Sequence, residues 1–178
     1  MNALLYPFML LSALGLLLSI ASHLSALAGI PIPGGHLVWS LHAGIFAVWL
    51  PTILVANRMS RHGKRSDFWT LALSGCPVWA RYMLYGLFGY AVINFIFCMN
   101  NMPGHQGGLN ASNDGTEVRL FSGHWMVFYA VALATLYSAI NNPHLLKSRK
   151  CAHGHEVAPF DQFCPTCGAV LAPDHPRT

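Results

Sequence analysis

Apolar residues fall in four long runs, at about 4–27, 37–56, 78–99 and 121–140, and polar positions collect in the connections between them. Each run supplies the roughly 20 residues a helix needs to cross about 30 Å of hydrocarbon. None alternates with the period of two that a barrel strand requires. In lipid a backbone must satisfy its own polar groups, so helices are expected. The expected fold class is an all-α membrane protein, a four-transmembrane-helix bundle over residues 1–146, followed by a tail of different composition from 147 to 178. The first run ends in Gly29-Ile30-Pro31-Ile32-Pro33-Gly34-Gly35, short enough only for an antiparallel hairpin, and the last stops at Asn141-Asn142-Pro143.

Composition points the same way. Hydrophobic residues make up 54% of the chain and charged residues 9%. Residues 1–57, 82–113 and 120–146 contain no Asp, Glu, Lys or Arg. A water-soluble domain of this size has too much surface to leave such stretches uncharged. The triplet Ala26-Leu27-Ala28 imitates the cleavage site of a secretory signal, but no basic residue precedes the run and the run exceeds a usual signal core, so a retained span is expected.

Charge also sets an orientation. Of the ten Lys and Arg residues, Arg58, Arg61, Lys64, Arg65 and Arg81 flank the middle connection, Lys147, Arg149, Lys150 and Arg177 lie in the tail, and only Arg119 falls on the other side. Basic residues stay on the cytoplasmic side of short loops, so both termini and the middle loop are expected to be cytoplasmic and the chain integral to the cytoplasmic (inner) membrane. The net charge of +4 is then explained by topology and by attraction to anionic headgroups, and membrane lipid is the expected partner.

The tail carries the most specific chemistry. It reads Cys151-Ala152-His153-Gly154-His155, then eight residues, then Cys164-Pro165-Thr166-Cys167-Gly168. Soft ligands at these spacings suit tetrahedral zinc, with Cys151, His155, Cys164 and Cys167 as the expected set and His153 as the competitor for the histidine position. Gly168 allows the backbone to turn behind the second sulfur. Residues Glu156 to Phe163 are expected to form a short hairpin, with Val157, Phe160 and Phe163 covering a small apolar face. About twenty residues bury too little to fold alone, so the metal must supply the fold. Four protein ligands leave no open position, which makes the zinc structural. A reducing cytosol keeps such thiols from disulfides, in agreement with the orientation read from charge. The segment from 151 to 171, through Phe163-Cys164-Pro165-Thr166-Cys167-Gly168, resembles the short zinc-ribbon modules found at the ends of many microbial proteins. A closed, rigid knob beside the membrane suits a contact surface for a cytosolic protein or for the chain's own middle loop better than an enzyme. With Glu156, Asp161 and Asp174 against Arg177, the ribbon has no basic stripe, so no nucleic acid is expected.

Within the spans, His23, His42 and His124 fall toward the outer ends of three runs and are candidates for holding haem or copper. His36 is six positions from His42, about 240° around a helix, so any such site needs His42 with His23 or His124. The alternative is that these imidazoles bond water, headgroups or neighbouring carbonyls. Asn94 is expected to bond between helices, Gly86 and Gly89 to mark close helix contact, and Arg81 to snorkel. Trp39, Trp49, Trp79 and Trp125 are expected in the interfacial belt. Cys76 and Cys98, at opposite ends of one helix, cannot pair. The functional expectation is a non-enzymatic membrane scaffold or adaptor whose ribbon contacts a cytosolic protein. The alternatives are a membrane redox or metal-handling protein using the outer histidines and, third, a small transporter.

Overall fold

The structure, a computed structural model, describes residues 2–61, 65–101, 115–146, 149–157 and 161–171. Helix α1 spans Leu5–Ala28, α2 Ser40–Met59, α3 Phe68–Ala72, α4 Val78–Asn101 and α5 Gly115–Asn141. The two strands, β1 Arg149–Lys150 and β2 Glu156–Val157, pair antiparallel in the tail. Four helices, α2 counted with the 3-10 turn Gly35–Trp39 that leads into it, are long and apolar enough to cross a membrane.

Helix α5 is the hub on which α1, α2 and α4 pack. Its most apolar stretch is 56% buried, against 22%, 22% and 11% for the other three spans in chain order. The polarity of α1 shows which solvent the bundle suits. It buries Ser12, Gly15, Ser19, Ser22, His23 and Ser25, while Leu10, Leu14 and Leu17 stand 65%, 53% and 64% exposed. In water this arrangement forfeits the burial of several leucines, each about 1.5–3 kcal/mol. In lipid the leucines face tails and the small residues let helices approach closely. Gly15 shows how closely, since a Cβ there would lie within 2.6 Å of three ring atoms of Tyr129 on α5.

Helix α1 ends where Gly29 adopts φ 66°, and the Gly29 and Ile30 amides donate to the Ala26 and Ser25 carbonyls at 3.4 and 3.1 Å. Pro51 lies inside α2 and takes one amide donor out of its ladder. A core of Leu41, Ile45, Val48, Trp125, Tyr129 and Ala132 joins α2 to α5. At the end of the bundle that carries the basic residues, Met59, Ala139, Leu145 and Leu146 form a second cluster.

Several expectations are corrected. The last span begins at Gly115 instead of 121, because Gly115-Thr116-Glu117-Val118-Arg119 continues the helix and Glu117 sits in the first turn, where the helix dipole favours an acid. Arg119 is therefore a helix residue. The remainder of the outer connection, with His105 and the Asn110-Ala111-Ser112 triplet, lies outside the described residues. Gly86 and Gly89 do not mark close contact, since a Cβ at either would meet nothing within 4 Å. Close approach occurs at Gly15, Gly75 and Gly123 instead. Trp125 belongs to the core at 0% exposure and not to the belt, whereas Trp69 and Trp79 are 49% and 65% exposed.

Asn94 bonds between helices, its Nδ2 donating to the Arg119 carbonyl at 2.9 Å. Arg81 does not extend freely, because its Nη2 donates to the Ser74 carbonyl at 3.0 Å. Cys76 and Cys98 are buried and unpaired, with the Cys76 thiol donating to the Ala134 carbonyl at 3.1 Å.

Candidate metal centre

Two tight turns build the tail site. In the first, the Gly154 amide donates to the Cys151 carbonyl at 2.9 Å and the Cys151 amide to the His155 carbonyl at 3.0 Å, with Gly154 at φ 83°. In the second, the Gly168 amide donates to the Cys164 carbonyl at 2.9 Å and the Cys164 amide to the Ala169 carbonyl at 2.8 Å, with Gly168 at φ 69°. Each positive φ is one that a side chain resists, which accounts for a glycine in each turn. Strands β1 and β2 flank the first turn, pairing Arg149 with Val157 and Lys150 with Glu156. An antiparallel bridge from Phe163 to Val170 flanks the second.

The pairing therefore differs from the single hairpin expected over Glu156 to Phe163. Each turn reverses the chain and pairs its own flanks, while Phe160 lies outside the described residues. Cys151, Val157, Cys164 and Leu171 form the small core. Phe163 does not cover it, being 58% exposed.

The turns bring Cys151, His155, Cys164 and Cys167 together, with one ligand atom of each within 4.8 Å of all the others. The Cys151 Sγ lies 3.5 Å from His155 Nδ1 and 3.8 Å from Cys167 Sγ, and Cys164 Sγ lies 3.8 Å from His155 Nδ1. A tetrahedral ion about 2.3 Å from sulfur and about 2.05 Å from nitrogen gives edges of roughly 3.8 Å between sulfurs and roughly 3.6 Å from sulfur to nitrogen. The four side chains are thus close enough to hold a metal ion, and the spacing is compatible with zinc. His153 stands outside this set, although its Nδ1 is 3.4 Å from Cys167 Sγ.

Electrostatics concentrate negative charge here. Burial opposes ionisation of Cys164, but the amides of Cys167 and Thr166 and the sulfurs of Cys167 and Cys151 outweigh it and lower the thiol to about 6. Cys167 gains from the Ala169 amide, yet burial and its proximity to Cys164 and Cys151 raise it overall. A Cys164 thiolate is held among neighbouring sulfurs, an arrangement that a cation relieves.

A bond docks the residue just before the tail, and one exposed ion pair joins the tail to the bundle. The Arg58 Nε on α2 donates to the Leu146 carbonyl at 2.8 Å, and the Arg61 Nη2 lies 3.3 Å from Glu156 Oε2.

The three outer histidines do not converge. His23 lies between two hydroxyls, with Nδ1 2.7 Å from Ser122 Oγ and Nε2 2.5 Å from Tyr90 Oη. The Trp125 Nε1 donates to His42 Nδ1 at 2.9 Å, which places the proton of a neutral His42 on Nε2. Neither ring keeps an uncommitted lone pair. His42 and His124 have ring centroids 6.3 Å apart, whereas His23 bonds Ser122, two positions and about 200° around α5 from His124.

Sequence reading missed two features. The Ser122 and Tyr90 hydroxyls that fix His23 have no sequence signal, because their positions depend on which faces of α4 and α5 meet α1. The exposure of Phe163 and Val170, 58% and 78%, was hidden because an aromatic beside a cysteine reads equally well as core. No family model, curated protein or solved structure matches the chain.

Proposed function

We propose that the chain is a membrane scaffold or adaptor of the cytoplasmic membrane, with both ends cytoplasmic and the metal centre serving as a rigid contact module for a cytosolic protein. The ion is zinc in a structural role: three thiols and an imidazole are soft and borderline ligands, and a closed set of four leaves no position for water or substrate. The module is then a zinc ribbon, as its resemblance implies.

The observation that carries this reading is the pair Phe163 and Val170. They are cross-strand partners on a module braced by two tight turns, yet they stand 58% and 78% exposed. Two adjacent apolar side chains left open on a rigid support offer a small patch that a protein partner would cover. The test is affinity capture from membranes with the wild-type chain, with Phe163→Ser and Val170→Ser combined, and with residues 148–178 deleted. A partner captured by the wild type and lost with both variants supports the reading, and identical capture by all three contradicts it.

The redox alternative gains no support from His23, whose two ring nitrogens face Ser122 and Tyr90, or from His42, whose Nδ1 accepts from Trp125. It requires a Soret band or stoichiometric copper in the purified protein.

A further inference from the structure

At the end of the bundle opposite the metal centre, a cavity of about 770 Å³ opens between the end of α1, the turn before α2, the end of α4 and the start of α5. This volume lies within the roughly 300–1,000 Å³ of small-molecule sites. Its walls are mixed, with Ile30, Ile32, Val38, Trp39 and Phe97 beside His36, Thr116 and Glu117, and Arg119 reaches it from α5.

Arg119 is built into place. Its Nε donates to Asn94 Oδ1 at 3.2 Å, while Asn94, 4% exposed, returns a bond from Nδ2 to the Arg119 carbonyl at 2.9 Å. The guanidinium carbon sits 5.1 Å from the centroid of the Phe97 ring. Among the described residues no carboxylate lies within ion-pair distance of Arg119, and the only ion pair is Arg61 with Glu156. Glu117 also lines the cavity but is exposed, so water screens its charge. A half-buried guanidinium held through Nε presents its two Nη groups as a fork for an oxyanion. An arginine beside apolar side chains, at one end of a bundle whose helices are long and apolar enough to cross a membrane, matches a molecule with a charged head and an apolar chain.

We propose that this cavity binds an amphiphile with a single acyl chain and an anionic head, carboxylate or phosphate, held by Arg119. The site is independent of the tail and of the adaptor reading. The probe is a diazirine-bearing palmitate photo-crosslinked to the full chain in phosphatidylcholine nanodiscs, with crosslinks mapped by mass spectrometry. Competitors are unlabelled palmitate, palmitoyl lysophosphatidate and neutral hexadecanol.

Saturable crosslinks at residues 29–39, 97–98 and 115–119, competed by either anion and not by hexadecanol, are expected. Arg119→Gln should weaken binding roughly tenfold or more, with Arg119→Lys retaining part of it. Stronger competition by lysophosphatidate assigns the head to a membrane phospholipid, and stronger competition by palmitate assigns it to a free acid. Because Arg119→Gln also removes a bond to Asn94, Ile30→Trp provides a second variant that narrows the mouth and leaves that pair intact; it should weaken binding too. Equal competition by hexadecanol, labelling spread over the outer face of α4, or unchanged labelling in both Arg119→Gln and Ile30→Trp would overturn the proposal.

Discussion

Arg58 on α2 donates from Nε to the carbonyl of Leu146 at 2.8 Å, and this bond ties the residue just before the tail to a helix that precedes it by almost ninety residues in sequence. Leu145 and Leu146 are buried against Met59 and Ala139 at the same place. The segment that leads into the tail is therefore docked through both an apolar cluster and a charge-assisted bond. Arg58→Ala should lower stability in detergent by about 1–3 kcal/mol. Arg61→Ala should change it by less than about 1 kcal/mol, because its pair with Glu156 is solvent-exposed. Thermal unfolding of the two variants checks the contrast, and limited proteolysis near residue 150 should accelerate only in the first.

The two tail histidines should separate cleanly. His155→Ala and Cys164→Ser are each expected to reduce bound metal well below one ion per chain, because each removes one of the four converging ligands. His153→Ala should leave the stoichiometry at one. Elemental analysis of purified protein distinguishes them, and metal loss with His153→Ala but not His155→Ala would exchange the ligand assignment.

Metal affinity should steepen with acid. Above pH about 6 Cys164 is already ionised, whereas Cys167, its pKa raised, must give up a proton to bind. Below about 6 the metal must displace the Cys164 proton as well. The sign follows for the metal-free module too. The lowered Cys164 pKa contributes stability that is present in full above the unfolded value of 9.0 and is lost as pH falls through about 6. Chelator competition between pH 5 and 8 should therefore show a larger slope of log affinity against pH below about 6.

Glycines separate closely packed backbone from open helix surface. A Cβ on Gly75 would lie 2.6 Å from the backbone oxygen of Ser138, so Gly75→Ala should destabilise by about 1–3 kcal/mol. A Cβ on Gly86 meets nothing within 4 Å. Gly86→Ala should be neutral or stabilise by about 0.5–1 kcal/mol through helix propensity. Unfolding in detergent reads both.

The spans were legible because length and the absence of charge are local properties. Three helix starts fell within about three residues of expectation, and the fourth missed by six because Glu117 and Arg119, charged residues that look like loop, are stabilised by the helix dipole and by Asn94. The convergence of Cys151, His155, Cys164 and Cys167 was legible for the same local reason, since two turns of fixed spacing bring them together. What sequence did not reveal depends on rotation of one helix against another. Gly86 and Gly15 look alike in sequence, yet only Gly15 faces α5. His23 and His42 sit at similar depth, but one meets Ser122 and the other Trp125.

The account stands on a lipid-embedded bundle with its thiol-bearing tail on the cytoplasmic face, and sided labelling measures that directly. In a Cys76→Ser, Cys98→Ala background, right-side-out and inverted membrane vesicles are stripped with a chelator and treated with a membrane-impermeant maleimide. The account predicts labelling of Cys151, Cys164 and Cys167 in inverted vesicles only, and labelling in right-side-out vesicles, or recovery of the chain in the soluble fraction, would contradict it.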